Sequence, residues 1–150
     1  MVAWSTFEAS APAMAHAGRR LFHRAETGEA LLATVREVAP PRIHPINVAI
    51  VDGRLVAFIL PSQKLTDLAR DGRYALHAHQ DPSAPSEFTL RGRARIVDDP
   101  AERTAAAAVW SFEVDDTYTL VEFSIDHAIL GERGPDEWPP RYTSWKPDGD

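Results

Sequence analysis

The chain has 150 residues, a length that suits one domain with a substantial apolar core. It contains no cysteine, which excludes disulfides, thiolate metal sites and cysteine nucleophiles. Its formal net charge of −6 argues against nucleic acid or an anionic membrane as its partner. The sequence has neither a membrane-spanning apolar run nor a signal-peptide pattern at its start, so we expect a cytoplasmic protein.

The first part of the chain is expected to lie outside the folded domain. Residues 1–15 are mostly small or polar and include Pro12, which predicts a flexible arm. Trp4 and Phe7 offer this arm two apolar side chains for docking, but fraying is the commoner outcome at a terminus. We expect a single domain over residues 16–150.

Apolar periodicity and the placement of proline, glycine and aspartate divide this domain into short elements. Pro40 and Pro41 are expected to form a loop, because proline cannot donate to a strand ladder. Asp99 followed by Pro100 is typical of a capped helix start. The predicted elements are, in chain order, a helix over 16–26, strands over 31–35, 46–51 and 55–60, a helix over 63–70, strands over 74–79 and 87–97, a helix over 100–110, and strands over 117–125 and 141–146.

The predicted fold class is mainly β with short helices. Most connections between the predicted strands are too short for parallel crossovers, which need about a dozen residues. This favours an antiparallel barrel or sandwich with helices at its edges. A small closed barrel would also remove exposed strand edges.

The sharpest local signal is a β-hairpin within residues 42–65. Its turn contains Asp52 and Gly53, which supply the positive φ values that a type I′ turn needs. A hairpin brings its two open ends together, so we expect a polar cluster, here called the rim, at this end. The rim consists of Arg42, His44, Ser62, Gln63 and Lys64.

The rim has the chemistry of an anion site. Ser62 is predicted to cap the helix over 63–70, and a helix start offers free N–H groups and a positive dipole end. Arg42 and Lys64 add two cations, and the guanidinium fork suits a phosphate. The residues therefore predict a phosphate site for a bound cofactor or nucleotide. The alternative, a capped helix beside two solvated cations, stays open.

The histidines give a weaker signal for a metal. His77 and His79 alternate on one predicted strand, so both would face the same side and could hold a metal with a third ligand. The alternative is a strand with one polar face. No nucleophile elbow, phosphate-binding glycine loop or metalloprotease motif is present in the sequence.

Three arginines share one face of the predicted strand over 87–97. Arg91, Arg93 and Arg95 would repel one another unless they meet carboxylates, an anionic ligand or a dimer partner. The pattern does not choose among these. Gly92 within the strand predicts a bend or a β-bulge.

The order of several motifs resembles the pyridoxamine 5′-phosphate oxidase-like family of FMN-binding split β-barrels. The most specific part is PRIHP followed, after a DGRL hairpin, by PSQKLTDLARDGRYALH, and LRGRARIV, TYTLVEFSI and YTSWKP follow in order over about residues 17–147. The resemblance implies a six-stranded antiparallel split barrel. It also implies a homodimer with two flavin sites in the clefts between subunits.

The resemblance also implies which residues contact the cofactor. It assigns the phosphate to Arg42 and Lys64, with His44 sharing the role of Arg42. Ser62 and Gln63 would lie beside the lysine. The flavin ring would lie along the backbones of Asn47, Val48, Ile59, Leu60 and Pro61. The second subunit would contribute Glu87 and Trp145.

The implied function is an FMN-dependent oxidoreductase acting on a small organic substrate. Glu87 stands where a glutamine is more typical of vitamin B6 oxidases, and their C-terminal Arg-and-His substrate motif is missing, which argues against pyridoxamine phosphate as substrate. No catalytic residue is assigned, and His44 is the nearest candidate. The alternatives are a reductase that uses the deazaflavin F420, or a non-catalytic flavin- or haem-binding protein. In the haem alternative His44, His77 or His79 would supply the ligand.

Overall fold

The computed structural model describes residues 1–23, 28–78 and 86–148. No helix in these ranges is long and apolar enough to cross a membrane. The elements are, in chain order, helices α1 (Trp4–Ser10) and α2 (Pro12–Phe22), strands β1 (Gly28–Arg36), β2 (Ala39–Val51) and β3 (Arg54–Ile59), helix α3 (Gln63–Arg70), strands β4 (Arg73–Ala78) and β5 (Glu87–Ile96), helix α4 (Pro100–Ala108), and strands β6 (Thr119–Glu132) and β7 (Arg141–Trp145).

The strands form an antiparallel barrel. Their order is β3-β2-β1-β4-β5-β6-β7, and β3 also pairs with β6, so that six strands close a ring and β7 extends from β6 outside it. The predicted six-stranded antiparallel split barrel is thus confirmed. Closure satisfies the backbone donors and acceptors that an open sheet would leave at its edges.

The hairpin between β2 and β3 opens soon after its turn. Asp52 and Gly53 have φ values of 48° and 73°, which confirms the predicted turn. The two strands pair only from Ala49 to Val51 on the β2 side, and β3 then pairs with β6. All five residues from Leu55 to Ile59 are buried, because both faces of β3 are covered. The hairpin therefore separates at the end where the rim lies.

The two prolines before the rim lie inside a strand. Pro40 and Pro41 belong to β2, so the prediction of a loop was wrong. They fall where the register with β1 shifts, between the pairs Thr34 with Arg42 and Arg36 with Ala39. A β-bulge leaves residues out of the ladder, so the missing N–H groups cost little there.

The first fifteen residues are not a loose arm, and that prediction was wrong. They form α1 and the start of α2, and the side chains of Trp4 and Phe7 are 0% exposed. Their rings are 5.3 Å apart between centroids, and Val2 forms a β-bridge with Ile125 of β6. Burying two large aromatic side chains stabilises by about 2–3 kcal/mol each, which is one part of the free energy that orders this segment.

The predicted bulge at Gly92 is confirmed. Arg91 lies opposite His127 but Gly92 lies opposite Ile125, so Asp126 of β6 is the additional residue. A Cβ atom at Gly92 would lie 1.8 Å from the carbonyl oxygen of Ser124, a distance that only glycine avoids. The bulge reverses the inward and outward alternation of β6 beyond this point.

Candidate functional site

The strand half of the rim is Arg42 and His44 of β2. They lie opposite Thr34 and Leu32 of β1, two residues apart, and therefore on one face of the sheet. Thr34 and Leu32 are both fully buried, so this face is the one that the barrel covers. Arg42 and His44 are only partly buried, because they stand near the open end of the barrel.

A buried carboxylate from α3 holds the arginine. The side chain of Asp67 is 3% exposed, and its Oδ2 accepts a hydrogen bond of 2.9 Å from Thr34 Oγ1. Arg42 Nε lies 3.2 Å from the same oxygen, but out of line for a hydrogen bond, so the contact is an ion pair. Arg70 Nη2 lies 3.7 Å from the other carboxylate oxygen. This network joins β1, β2 and α3.

Sequence reasoning missed Asp67. Asp67 directly precedes Leu68 on α3, and both side chains are buried. A charge on the buried side of a helix needs a partner. The cation of β2 that serves as that partner could not be identified from spacing alone.

His44 lies in surroundings that disfavour its protonated form. Burial lowers its pKa most, followed by the charges of Lys64 and Arg42, while Asp67 acts in the opposite direction. Its Nε2 atom is buried and has no hydrogen-bond partner among the described residues. The charges of Arg42 and Lys64 thus act on His44, although β2 and β3 stop pairing before they reach the rim.

The helix half of the rim differs from the prediction in one respect. Helix α3 begins at Gln63, as predicted, and Ser62 occupies the N-cap position. The hydroxyl of Ser62 donates to the carbonyl of Leu60 at 2.8 Å and does not cap the helix. The predicted capping hydrogen bond was therefore wrong. The first turn of α3 has no side-chain acceptor within the described part of the chain.

One open cavity includes residues of the rim, and a second lies farther along β2. One, of about 180 Å³, is lined in part by Arg42, Gln63 and Asp67. The other, of about 340 Å³, is lined in part by Asn47 and Pro45 on the outer side of β2. Polar ligand groups can therefore approach the rim from solvent.

The five residues assigned to backbone contacts fall into two groups. The side chains of Val48 and Ile59 are 0% and 2% exposed and pack in the core, so only their backbones remain for a ligand. Asn47, Leu60 and Pro61 are exposed. The assigned contacts stay a prediction.

Glu87 and Trp145 lie away from the rim of the same chain. Glu87 Oε1 accepts a hydrogen bond of 2.6 Å from the Tyr142 hydroxyl, and it lines a cavity of about 530 Å³ outside β5, β6 and β7. Trp145 packs on Phe7, with ring centroids 4.9 Å apart. The resemblance assigned both residues to a second subunit, and that assignment stays a prediction.

The other sequence candidates have local partners. His77 Nδ1 lies 3.1 Å from Thr89 Oγ1, and His79 lies outside the described residues. Within the described ranges, no three His, Asp or Glu side chains cluster as a metal site would require. Arg95 forms an ion pair with the buried Glu122, whereas Arg91 contacts His127 Nδ1. The arginines of this strand therefore do not act as one unit.

Comparison with known proteins places this geometry in a structural class. No protein-family model and no curated protein sequence matches the chain. Among solved structures, the chain is similar to a protein from Clostridium acetobutylicum that is related to general stress protein 26 of the pyridoxinephosphate oxidase family. The two are 16% identical with a TM-score of 0.66, and the match covers 89% of this chain and 94% of that one.

Two haem proteins are also similar in structure. A haem-binding protein from Mycobacterium smegmatis is 19% identical with a TM-score of 0.62, covering 84% of this chain and 55% of that one. The haem storage protein HutZ from Vibrio cholerae is 12% identical with a TM-score of 0.59, covering 75% and 90%. Identities this low establish the fold alone. The chain therefore has the split β-barrel fold of the pyridoxamine 5′-phosphate oxidase-like proteins.

Proposed function

We propose that this chain is an FMN-dependent oxidoreductase of the pyridoxamine 5′-phosphate oxidase-like family that acts on a small organic substrate. The observation that carries the proposal is the buried Nε2 atom of His44, which has no partner among the described residues and lies near Arg42 and Lys64. A buried polar atom without a partner is costly unless a ligand supplies one. Because both neighbours are cations, an anion such as a phosphate suits this position.

The rim residues fit the phosphate of FMN. Lys64 and Arg42 would donate to its oxygens, and His44 would add a donor through Nε2. Asp67 holds the Arg42 side chain from the opposite side, so the guanidinium is already ordered. Helix α3 starts one residue before Lys64 without a side-chain cap, which leaves the N–H groups of its first turn available.

The remaining contacts in this proposal come from the family resemblance. The chain would form a homodimer, with Glu87 and Trp145 of one subunit facing the cofactor of the other. The buried side chains of Val48 and Ile59 support backbone contacts at those positions. FMN would supply the electron transfer when bound, and this chain would bind it, orient it and exclude water. The proposed contacts along the flavin ring are Asn47, Val48, Ile59, Leu60 and Pro61. The proposed contacts beside the phosphate are Ser62 and Gln63.

A comparison of FMN with riboflavin tests the phosphate site. The chain has two lysines, so K146A is a matched control for K64A. We expect K64A to weaken FMN binding by about ten- to a hundredfold, the value of one charge-assisted hydrogen bond. Riboflavin lacks the phosphate, so its affinity should be the same in wild type, K64A and K146A. Fluorescence quenching of the flavin measures all six affinities.

Three results would contradict the FMN proposal. If the wild-type protein does not bind FMN, then FMN is not its cofactor. Equal losses of FMN affinity in K64A and K146A would mean that general electrostatic attraction, and not a specific phosphate site, binds FMN. Uptake of F420 in place of FMN keeps the rim and changes the redox partner. Turnover with NADPH, or with reduced F420, then separates an oxidoreductase from a carrier.

A haem-binding protein is the second candidate. The observation that favours it is again His44, because a neutral imidazole with a free Nε2 can ligate iron. The similarity to two haem proteins adds support at the level of fold. Haem titration of wild type, H44A and H77A tests this candidate. A Soret band that is lost only in H44A would support haem, and an equal band in all three would exclude His44 as the ligand.

A further inference from the structure

Arg91 and His127 form a contact on the outer face of β5, β6 and β7. It exists because of the bulge in β6, where Ile125 and Ala128 are both buried and two residues lie between them. Regular alternation would place only one residue between two inward positions. The additional residue, Asp126, therefore turns His127 outward, toward Arg91 on the neighbouring strand.

The contact between Arg91 and His127 favours one tautomer of the imidazole. Arg91 Nη2 contacts His127 Nδ1. A guanidinium can only donate, so Nδ1 is the acceptor and the proton of the neutral ring is on Nε2. Burial, followed by the charges of Arg91 and Lys146, lowers the pKa of His127, while Asp126 opposes this. These surroundings favour the neutral ring, whose Nε2–H is then the group available to donate.

His127 lines the cavity of about 530 Å³. Ile129 supplies an apolar surface within it, and Thr89 and Ser144 supply hydroxyl groups. At the far end Glu87 is already occupied by the Tyr142 hydroxyl. Within the part of the chain that the structure describes, neither Arg91 nor Lys146 forms an ion pair with a carboxylate. The end of the cavity at His127 therefore combines hydrogen-bond donors with the nearby positive charges of Arg91 and Lys146, which Asp126 opposes in part.

We propose that this cavity binds a small organic anion, whose carboxylate or phosphate group accepts a hydrogen bond from His127 Nε2–H beside Arg91. The body of the ligand would lie over Ile129, with Thr89 and Ser144 available to its polar groups. Binding of the anion requires no cofactor. The further role of this cavity as the substrate site of the oxidoreductase rests on the function proposed above.

Imidazole NMR of the purified protein tests the proposal directly. Benzoate and inorganic phosphate serve as the carboxylate and phosphate probes, and benzyl alcohol serves as the uncharged analogue of benzoate. We expect one or both anions to shift the His127 nitrogen signals saturably, with the signals assigned from an H127Q variant. Benzyl alcohol should bind at least about tenfold more weakly, because it lacks the charge.

A matched pair of arginine variants locates the charge. Arg91 and Arg93 are both exposed and alternate on β5, so they share its outer face, but only Arg91 contacts His127. R91Q should weaken anion binding by about tenfold, and R93Q should leave it unchanged. Both substitutions are at exposed positions, and their unfolding midpoints check that each variant is folded.

The proposal is overturned if neither anion shifts His127 saturably, if benzyl alcohol binds as well as benzoate, or if R91Q and R93Q lose affinity equally. Saturable shifts at His44 alone would also overturn it, because they would place the anion at the rim. K64A should leave benzoate binding at His127 unchanged. If FMN does not bind but benzoate does, this site stands and only the cofactor proposal fails.

Discussion

Arg42 of β2 and Asp67 of α3 form an ion pair, with 3.2 Å between Nε and Oδ2. The same helix carries Lys64, so this contact connects the two elements that supply the cations of the rim. The Asp67 side chain is 3% exposed, whereas that of Arg42 is 29% exposed. The buried carboxylate therefore orders a cation that still reaches solvent.

Loss of the Asp67 charge should weaken the whole junction of β1, β2 and α3. D67N keeps the size of the side chain and an oxygen for Thr34, but leaves Arg42 without its counter-charge. We expect the free energy of unfolding to fall by about 2 kcal/mol, less than for a fully buried pair because Arg42 is partly exposed. Urea unfolding at pH 7 measures this change. D116N, at an exposed position, is the control, and equal stability of the two variants would contradict the prediction.

A phosphate at the rim should change the titration of His44. In the free protein, burial and the charges of Lys64 and Arg42 lower its pKa. A bound dianion opposes those cations and favours the protonated ring, so the pKa in the complex should be higher than in the free protein. NMR titration of the His44 ring with and without saturating FMN measures the difference. Riboflavin, which has no phosphate, is the control. If FMN leaves the pKa of His44 unchanged, the phosphate does not bind beside His44.

The bulge at Gly92 should not tolerate a side chain. In G92A the new Cβ would lie 1.8 Å from the backbone oxygen of Ser124, and a strand must shift to relieve that overlap. We expect a loss of at least about 2 kcal/mol in the free energy of unfolding. The matched control is G134A, whose Cβ would have the Glu137 side chain as its nearest neighbour, at 3.4 Å. Equal unfolding midpoints for the two variants would show that β5 and β6 adapt at the bulge.

The N-terminal helix should contribute to the stability of the barrel. Phe7 is 0% exposed and packs against Trp4 and Trp145. F7A should lower the free energy of unfolding by about 3–5 kcal/mol, as expected for a fully buried phenylalanine. Phe112 is 38% exposed, so F112A should lower the free energy of unfolding by clearly less than F7A does. A fully stable F7A protein would mean that residues 1–15 behave as the loose arm that sequence reasoning expected.

Features with local causes were predictable from the sequence. Asp52 and Gly53 adopt the positive φ values that their residue types favour. Helix α3 spans the predicted residues 63–70. Asp99 Oδ1 accepts a hydrogen bond of 2.9 Å from the N–H of Glu102, as expected of a cap. In each case the residues that decide the structure lie within a few positions of one another, so the sequence contains the whole interaction.

Features that depend on distant partners were decided by the tertiary structure. The N-terminal segment orders only because the barrel offers Trp4 and Phe7 a core to enter. Asp67 has a role only once α3 packs beside Arg42 and Thr34. His127 faces Arg91 because one additional residue in β6 reverses the alternation of the strand, and this depends on the register between two strands. The sequence by itself thus determined the turn, the capped helix and the cationic residue types of the rim, whereas register and packing decided which charges meet.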